Sequence, residues 1–213
     1  MDELDKLKNA WKKGQSAYPQ FSEKDIYAML HKTSSSIVKW ILIISIMEFG
    51  LWLALSFLLK DTPGARDMDA MHIEYITTPM SIISYGIILY FVYVFYTRYK
   101  KISTTDNVKT LMQNILKTRK AVSVYIFVNI GYVAVSSVVL LIIMFTHHAG
   151  ITSIIHKSEQ HGHLPTFYLV AFISAAVFIG IFIFIMWLFY KLVYGMLLRR
   201  LHKNYEELKK IDL

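Results

Sequence analysis

Cysteine is absent from the chain. That removes a disulfide framework and thiolate chemistry, and it is compatible with any compartment. No GxGxxG, P-loop, GxSxG or HExxH occurs, so the common fingerprints of nucleotide binding, serine hydrolysis and zinc proteolysis are missing. Serines are plentiful, but none has a base beside it that would activate it. A cleavable signal peptide is lacking too. The first apolar block begins too late, is too long and has no small-residue cleavage site, so it is expected to act as an uncleaved anchor. Acidic residues are missing from the apolar blocks with one exception, Glu48.

Apolar residues make up 55% of the 213 positions, and they fall into four blocks. These predict spans over 37–59, 80–96, 121–145 and 166–190. At about 1.5 Å rise per residue each can cross a hydrocarbon core of roughly 30 Å, the second only just. Glu48 does not prevent the first from inserting. An acidic residue at a helix centre costs about 2.5–3.5 kcal/mol, while each central Leu, Ile or Phe returns about 0.3–0.6 kcal/mol. The predicted fold is an all-α integral membrane protein, an antiparallel bundle of four transmembrane helices.

The net charge is +8, and its placement is more informative than its sum. Lys and Arg number seven before Trp40, two in 60–78, seven in 97–120, one in 146–165 and six from Lys191 onward. The positive-inside rule then puts both termini and the middle segment in the cytoplasm, N-in/C-in. The basic residues flank spans, where they meet anionic headgroups, and no direct nucleic-acid partner is needed to explain them.

The segments between spans are patterned. In the cytoplasmic segment 1–36, Leu4, Leu7 and Trp11 recur at helical spacing, and a second helix is predicted from Ser22, with Asp25 three residues on and Phe21 stapled to Ile26. Ile26, Met29, Leu30 and Ile37 carry an apolar stripe. The outer loop 60–79 holds a Pro63-Gly64 turn. In the cytoplasmic segment 97–120, Val108, Leu111, Met112, Ile115, Leu116 and Val122 share one helical face, and the helix is expected to run into the third span. The tail 191–213 continues the fourth span with a stripe of Leu197, Leu201, Leu208 and Ile211. These three amphipathic extensions either pack on one another as a cap, lie on the membrane or receive a cytoplasmic regulatory protein, for which Leu4, Leu7, Trp11, Ile26 and Leu30 are the candidate contacts. Gly50 with Ala54, and Ala176 with Gly180, are small pairs four apart that favour close packing of spans, within one chain or in a homo-oligomer.

Four stretches, LDKLKNAWKK, IYAMLHKTSSSIVKWI, DNVKTLMQNILKTRKAV and YGMLLRRLHKNYEELKKI, together resemble a family of small bacterial four-span inner-membrane proteins. The resemblance covers nearly the whole chain. It implies a place in the bacterial inner (cytoplasmic) membrane. Because such proteins are often encoded beside extracytoplasmic-function sigma factors, it also implies a membrane-bound regulatory role. Some members carry the label β-carotene monooxygenase. That chemistry needs iron held by histidines within reach of the bilayer, and none of the eight histidines falls in a predicted span.

Two candidate sites remain. The outer loop 146–165 holds His147, His148, His156, His161 and His163, which read either as a plain solvated loop or as ligands for a divalent metal. No cofactor is expected otherwise. Inside the bundle, Asn129, Tyr132 and Tyr85 lie at heights similar to Glu48, so a polar cluster of these four is expected. It either pins the bundle register or relays protons or binds a small cation. The expected function is that of a non-enzymatic membrane protein acting through protein–protein interaction, in envelope or sigma-factor-linked signalling. The alternatives are a small ion-coupled transporter using Glu48 and, third, a metal-dependent membrane enzyme.

Overall fold

The computed structural model describes residues 22–105 and 107–211. Leu4, Leu7, Trp11 and Phe21 lie outside them. All regular structure among the described residues is helical: α1 (Glu23–Leu58), α2 (Pro63–Ala70), α3 (Glu74–Ser103), α4 (Val108–His147), α5 (Ala149–Gln160) and α6 (Leu164–Ile211). Four of these, α1, α3, α4 and α6, are long and apolar enough to cross a membrane, which is the make-up of a multi-pass membrane protein.

Local chemistry sets the helix starts. Ser22 and Asp25 form a capping box at the head of α1: the Asp25 amide donates to Ser22 Oγ at 3.2 Å and the Ser22 amide donates to Asp25 Oδ2 at 3.1 Å. The Ser22 hydroxyl, and then its amide, hold the exposed Asp25 carboxyl below the usual carboxylate range. Asn107 caps α4, its Oδ1 accepting from the Lys109 amide at 2.9 Å. Between α5 and α6 the chain turns through Gly162 at φ 72°, a left-handed conformation that suits a residue without Cβ.

Both connecting loops are more ordered than the sequence suggests. Pro63-Gly64 does not make a turn; it opens α2, with Thr62 as the cap. Proline is at home in the first turn of a helix, where its missing N–H would be unpaired anyway. The segment around the five histidines is mostly helix α5. The second long helix begins at Glu74, ahead of the expected start at Met80, and holds Pro79 near its N-terminal end.

α1 packs on α3 and on α6, and α4 packs on the same two, so α1, α3, α4 and α6 form a ring in that order. Nearly all buried apolar side chains gather in one cluster. It runs from Phe91, Tyr125 and Tyr190 down to Leu30, Leu111, Leu201 and Leu208. The core therefore sits at the end of the bundle that carries the polar extensions. Towards the other end the helices present apolar side chains outward. In the most apolar stretch of α6 the buried share is 0%, with Phe172, Phe178, Ile181 and Phe184 all exposed. So wide an apolar surface suits lipid and not water.

The described parts of the three amphipathic extensions pack on one another as a cap. Leu111 and Ile115 of α4 and Leu201 and Leu208 of α6 are buried there with Leu30 of α1. Polar contacts lock the cap. Asn204 Nδ2 donates to Ser34 Oγ at 3.1 Å, the Tyr27 hydroxyl to the Thr105 carbonyl at 3.1 Å, and His31 Nε2 meets the Ile102 carbonyl at 2.8 Å. This corrects one expectation: Leu30 and, in part, Ile26 are covered by the chain's own helices and are not a free surface for a partner. Leu116 departs from its stripe and stays exposed.

The small pairs do not draw the helices together. A Cβ placed on Gly50 or Gly180 would meet nothing within 4 Å.

Because Leu201 is fully buried in the cap, Leu201→Ala should cost about 2–5 kcal/mol, the usual range for truncating a core leucine. Thermal unfolding of the purified protein in detergent checks this. A midpoint unchanged from the parent would show that the cap is not packed as described.

Candidate site around Glu48

Glu48 lies in the apolar stretch of α1, eleven residues and so about 16 Å beyond Ile37. It is 7% exposed. A carboxylate there is tenable only with donors around it, because an unpaired buried charge is very costly. Three tyrosine hydroxyls supply them. Tyr125 of α4 donates to Oε2 at 2.6 Å, Tyr194 of α6 donates to Oε2 at 3.4 Å, and Tyr190 of α6 donates to Oε1. Hydrogen bonds to a charged acceptor contribute about 1.5–3 kcal/mol each. None of the ion pairs among the described residues involves Glu48.

The tyrosines reach Glu48 for helical reasons. Tyr190 and Tyr194 are four apart and share one face of α6. Tyr125 comes from the adjacent helix and packs its ring edge-on against Tyr190 at 6.0 Å and Tyr194 at 5.8 Å. On its far side it meets Phe91 at 5.1 Å and Phe95 at 5.5 Å, both from α3. All four long helices thus meet at one aromatic centre. No buried side-chain nitrogen or oxygen among the described residues lacks a hydrogen-bond partner.

The expected companions of Glu48 have other partners. Asn129 donates to the Tyr125 backbone carbonyl at 3.0 Å. Tyr132 donates to the Met80 carbonyl and so ties α4 to α3. Tyr85 packs edge-on against Phe49 at 5.9 Å. Matching heights from the predicted span boundaries pointed one to two turns too far along α4. The tyrosines that do bind Glu48 sit near those ends of their apolar runs that lead into the cap, where aromatic residues ordinarily form an interfacial belt. The i, i+4 spacing of Tyr190 and Tyr194 was the one signal available in the sequence.

The histidines are dispersed. His148 caps α5, accepting from the Ile151 amide at 3.4 Å. His156 faces Glu159 at 3.6 Å, and His161 bonds the Lys157 carbonyl at 2.7 Å. His147 meets Thr146 Oγ1 at 2.6 Å, and His163 lies in the turn before α6, its amide donating to the Ser158 carbonyl at 2.9 Å. Among the described residues no three His, Asp or Glu side chains converge in a way that would hold a metal ion.

Beside Glu48 a groove opens between α1 and α6, with a volume of about 750 Å³. Met47, Leu51 and Leu55 line it from α1, and Met186, Phe189 and Val193 from α6; Glu48 is the one ionisable residue in its wall.

A family model described as a domain of unknown function (DUF8845) matches residues 24–213. No curated protein and no solved structure matches the chain.

Removing one hydroxyl tests the cluster. Tyr125→Phe and Tyr190→Phe should each destabilise the protein by about 1.5–3 kcal/mol, the range for a hydrogen bond to a charged group. Tyr194→Phe, which loses the longest of the three bonds, should cost less. Equilibrium unfolding in detergent ranks them. Equal and negligible effects from all three would contradict the geometry.

Proposed function

The chain belongs to that family, whose description assigns no activity, and from its site we propose a non-enzymatic multi-pass inner-membrane protein in which Glu48 is an ion-responsive joint between the spans and a cytoplasmic cap. One observation carries the reading: the three helices whose side chains meet at Glu48 each run on, unbroken, into the cap. α1 holds Glu48 and, further back, Ser34 and Leu30. α4 holds Tyr125 and, further back, Ile115 and Leu111. α6 holds Tyr190 and Tyr194 and, further on, Leu201, Asn204 and Leu208. From Tyr194 to Leu201 is about 10 Å of unbroken helix, so a change of partner or charge at Glu48 is passed on as a change in how the cap packs.

The orientation follows from charge. The basic extensions lie with the cap, so cap and both termini face the cytoplasm, the connection through α5 faces outward, and the four spans run antiparallel. The cap is then the part that meets a cytoplasmic partner, in keeping with a regulatory role linked to envelope or sigma-factor signalling. Exposed Leu116, beside Lys117 and Lys120, is where such a partner is expected to dock, since Ile26 and Leu30 are occupied. A second reading, ion-coupled transport through Glu48, draws support from the groove that reaches the carboxylate from the side.

Paired spin labels on Lys117→Cys and Lys203→Cys test the joint, in a chain with no cysteine of its own. In nanodiscs, Glu48→Gln should shift or broaden the distance distribution between them relative to the parent. Superimposable distributions would remove the coupling. In intact cells the same two cysteines should be shielded from an impermeant maleimide while Gln160→Cys reacts; the opposite pattern would invert the orientation.

A further inference from the structure

The groove between α1 and α6 has the chemistry of a binding site. Its walls are apolar side chains, it is open along one flank to the surroundings of the bundle, and its one ionisable group is a carboxylate. From Ile44 to Leu55 it follows α1 for about 16 Å, with Glu48 towards one end and Leu51 and Leu55 further along. Trp52 and Phe189 add aromatic faces to the lining.

The carboxylate is not saturated. Its two oxygens offer about four acceptor positions. Oε2 takes two hydroxyls, from Tyr125 and Tyr194, and Oε1 takes one, from Tyr190. One acceptor position on Oε1 is left over. No Lys, Arg or His among the described residues pairs with the charge. Glu48 keeps 7% of its surface exposed and is one of the residues that line the groove. What fits is a group that brings a positive charge and an N–H donor on an apolar body.

We propose that the groove between α1 and α6 binds a lipophilic ammonium compound, an alkyl chain ending in a protonated amine, with the ammonium on Glu48 and the chain laid along Leu51, Leu55 and Met186. The alternatives fit less well. A neutral alkyl chain brings no donor to the acceptor position left on Oε1. An anionic amphiphile meets it with like charge. A second copy of this chain would bring apolar side chains to the groove and no cation from the corresponding stretch of α1. The aromatic faces of Trp52 and Phe189 add cation–π attraction for an ammonium near them.

The inference rests on Glu48 as the working residue of the proposed function, but not on transmission to the cap, and its test reads binding alone. A dodecylammonium probe carrying a diazirine on its chain is photolysed with the full-length protein in nanodiscs of a neutral phospholipid, beside the matching dodecanol probe, and adducts are mapped by peptide mass spectrometry. The expected result is adducts at Leu51, Leu55, Met186 or Phe189 that are several-fold stronger for the amine than for the alcohol. Glu48→Gln should remove that preference. Should Glu48→Gln fail to fold, Gly50→Phe serves in its place. Gly50 lines the groove and a Cβ placed on it meets nothing within 4 Å, so a larger side chain has room to enter there, and labelling by the amine should fall several-fold. Equal labelling by amine and alcohol overturns the proposal, as does labelling that survives Gly50→Phe. A loss of labelling with an unchanged cap distance would sink the joint and leave the binding site standing.

Discussion

A buried carboxylate that must find hydrogen-bond donors fixes this structure more tightly than any apolar contact. Between helices in lipid there is little hydrophobic drive, since acyl chains are as apolar as leucine. Register then falls to specific polar contacts, and Glu48 provides three at once, to one hydroxyl on α4 and two on α6. Tyr125 passes the constraint to α3 through Phe91 and Phe95. A sliding of any one of these helices by a turn would strand the charge.

The distribution of buried side chains follows from having two solvents. Where the helices leave their apolar runs and enter water, burial of leucine and isoleucine stabilises packing at about 25 cal/mol per Å², and there the cap closes over Leu111, Ile115, Leu201 and Leu208. Along the apolar runs the same side chains gain little from each other, and α6 leaves Phe172, Phe178 and Phe184 outside. Glu48 marks the boundary between the two regimes. That position explains why a polar cluster, and not a leucine zipper, holds the upper edge of the packed core.

Much of the architecture was legible in the sequence, because hydropathy, helical stripes and capping are local. The four long helices, the capping box at Ser22 and the continuity of α4 with the segment before it all follow from residues within a few turns of one another. The order within the loops was not legible. Pro63 reads equally as a turn residue and as a first-turn helix residue, and α5 is too short and too polar to stand out. Glu48 was recognisable as unusual, but its partners depend on how far each helix is offset along the bundle. That offset is a long-range quantity: Tyr190 and Tyr194 look like interfacial tyrosines until α6 is set against α1.

The functional account narrows to the coupling between one acid and the hydroxyls that hold it. A double-mutant cycle on Glu48→Gln and Tyr190→Phe, read by equilibrium unfolding of the protein in detergent, measures that coupling free of each substitution's separate effects. The account predicts an interaction energy within about 0.5–3 kcal/mol, the range for groups in one hydrogen-bonded network. Additivity within about 0.5 kcal/mol, as for distant and independent sites, would contradict it.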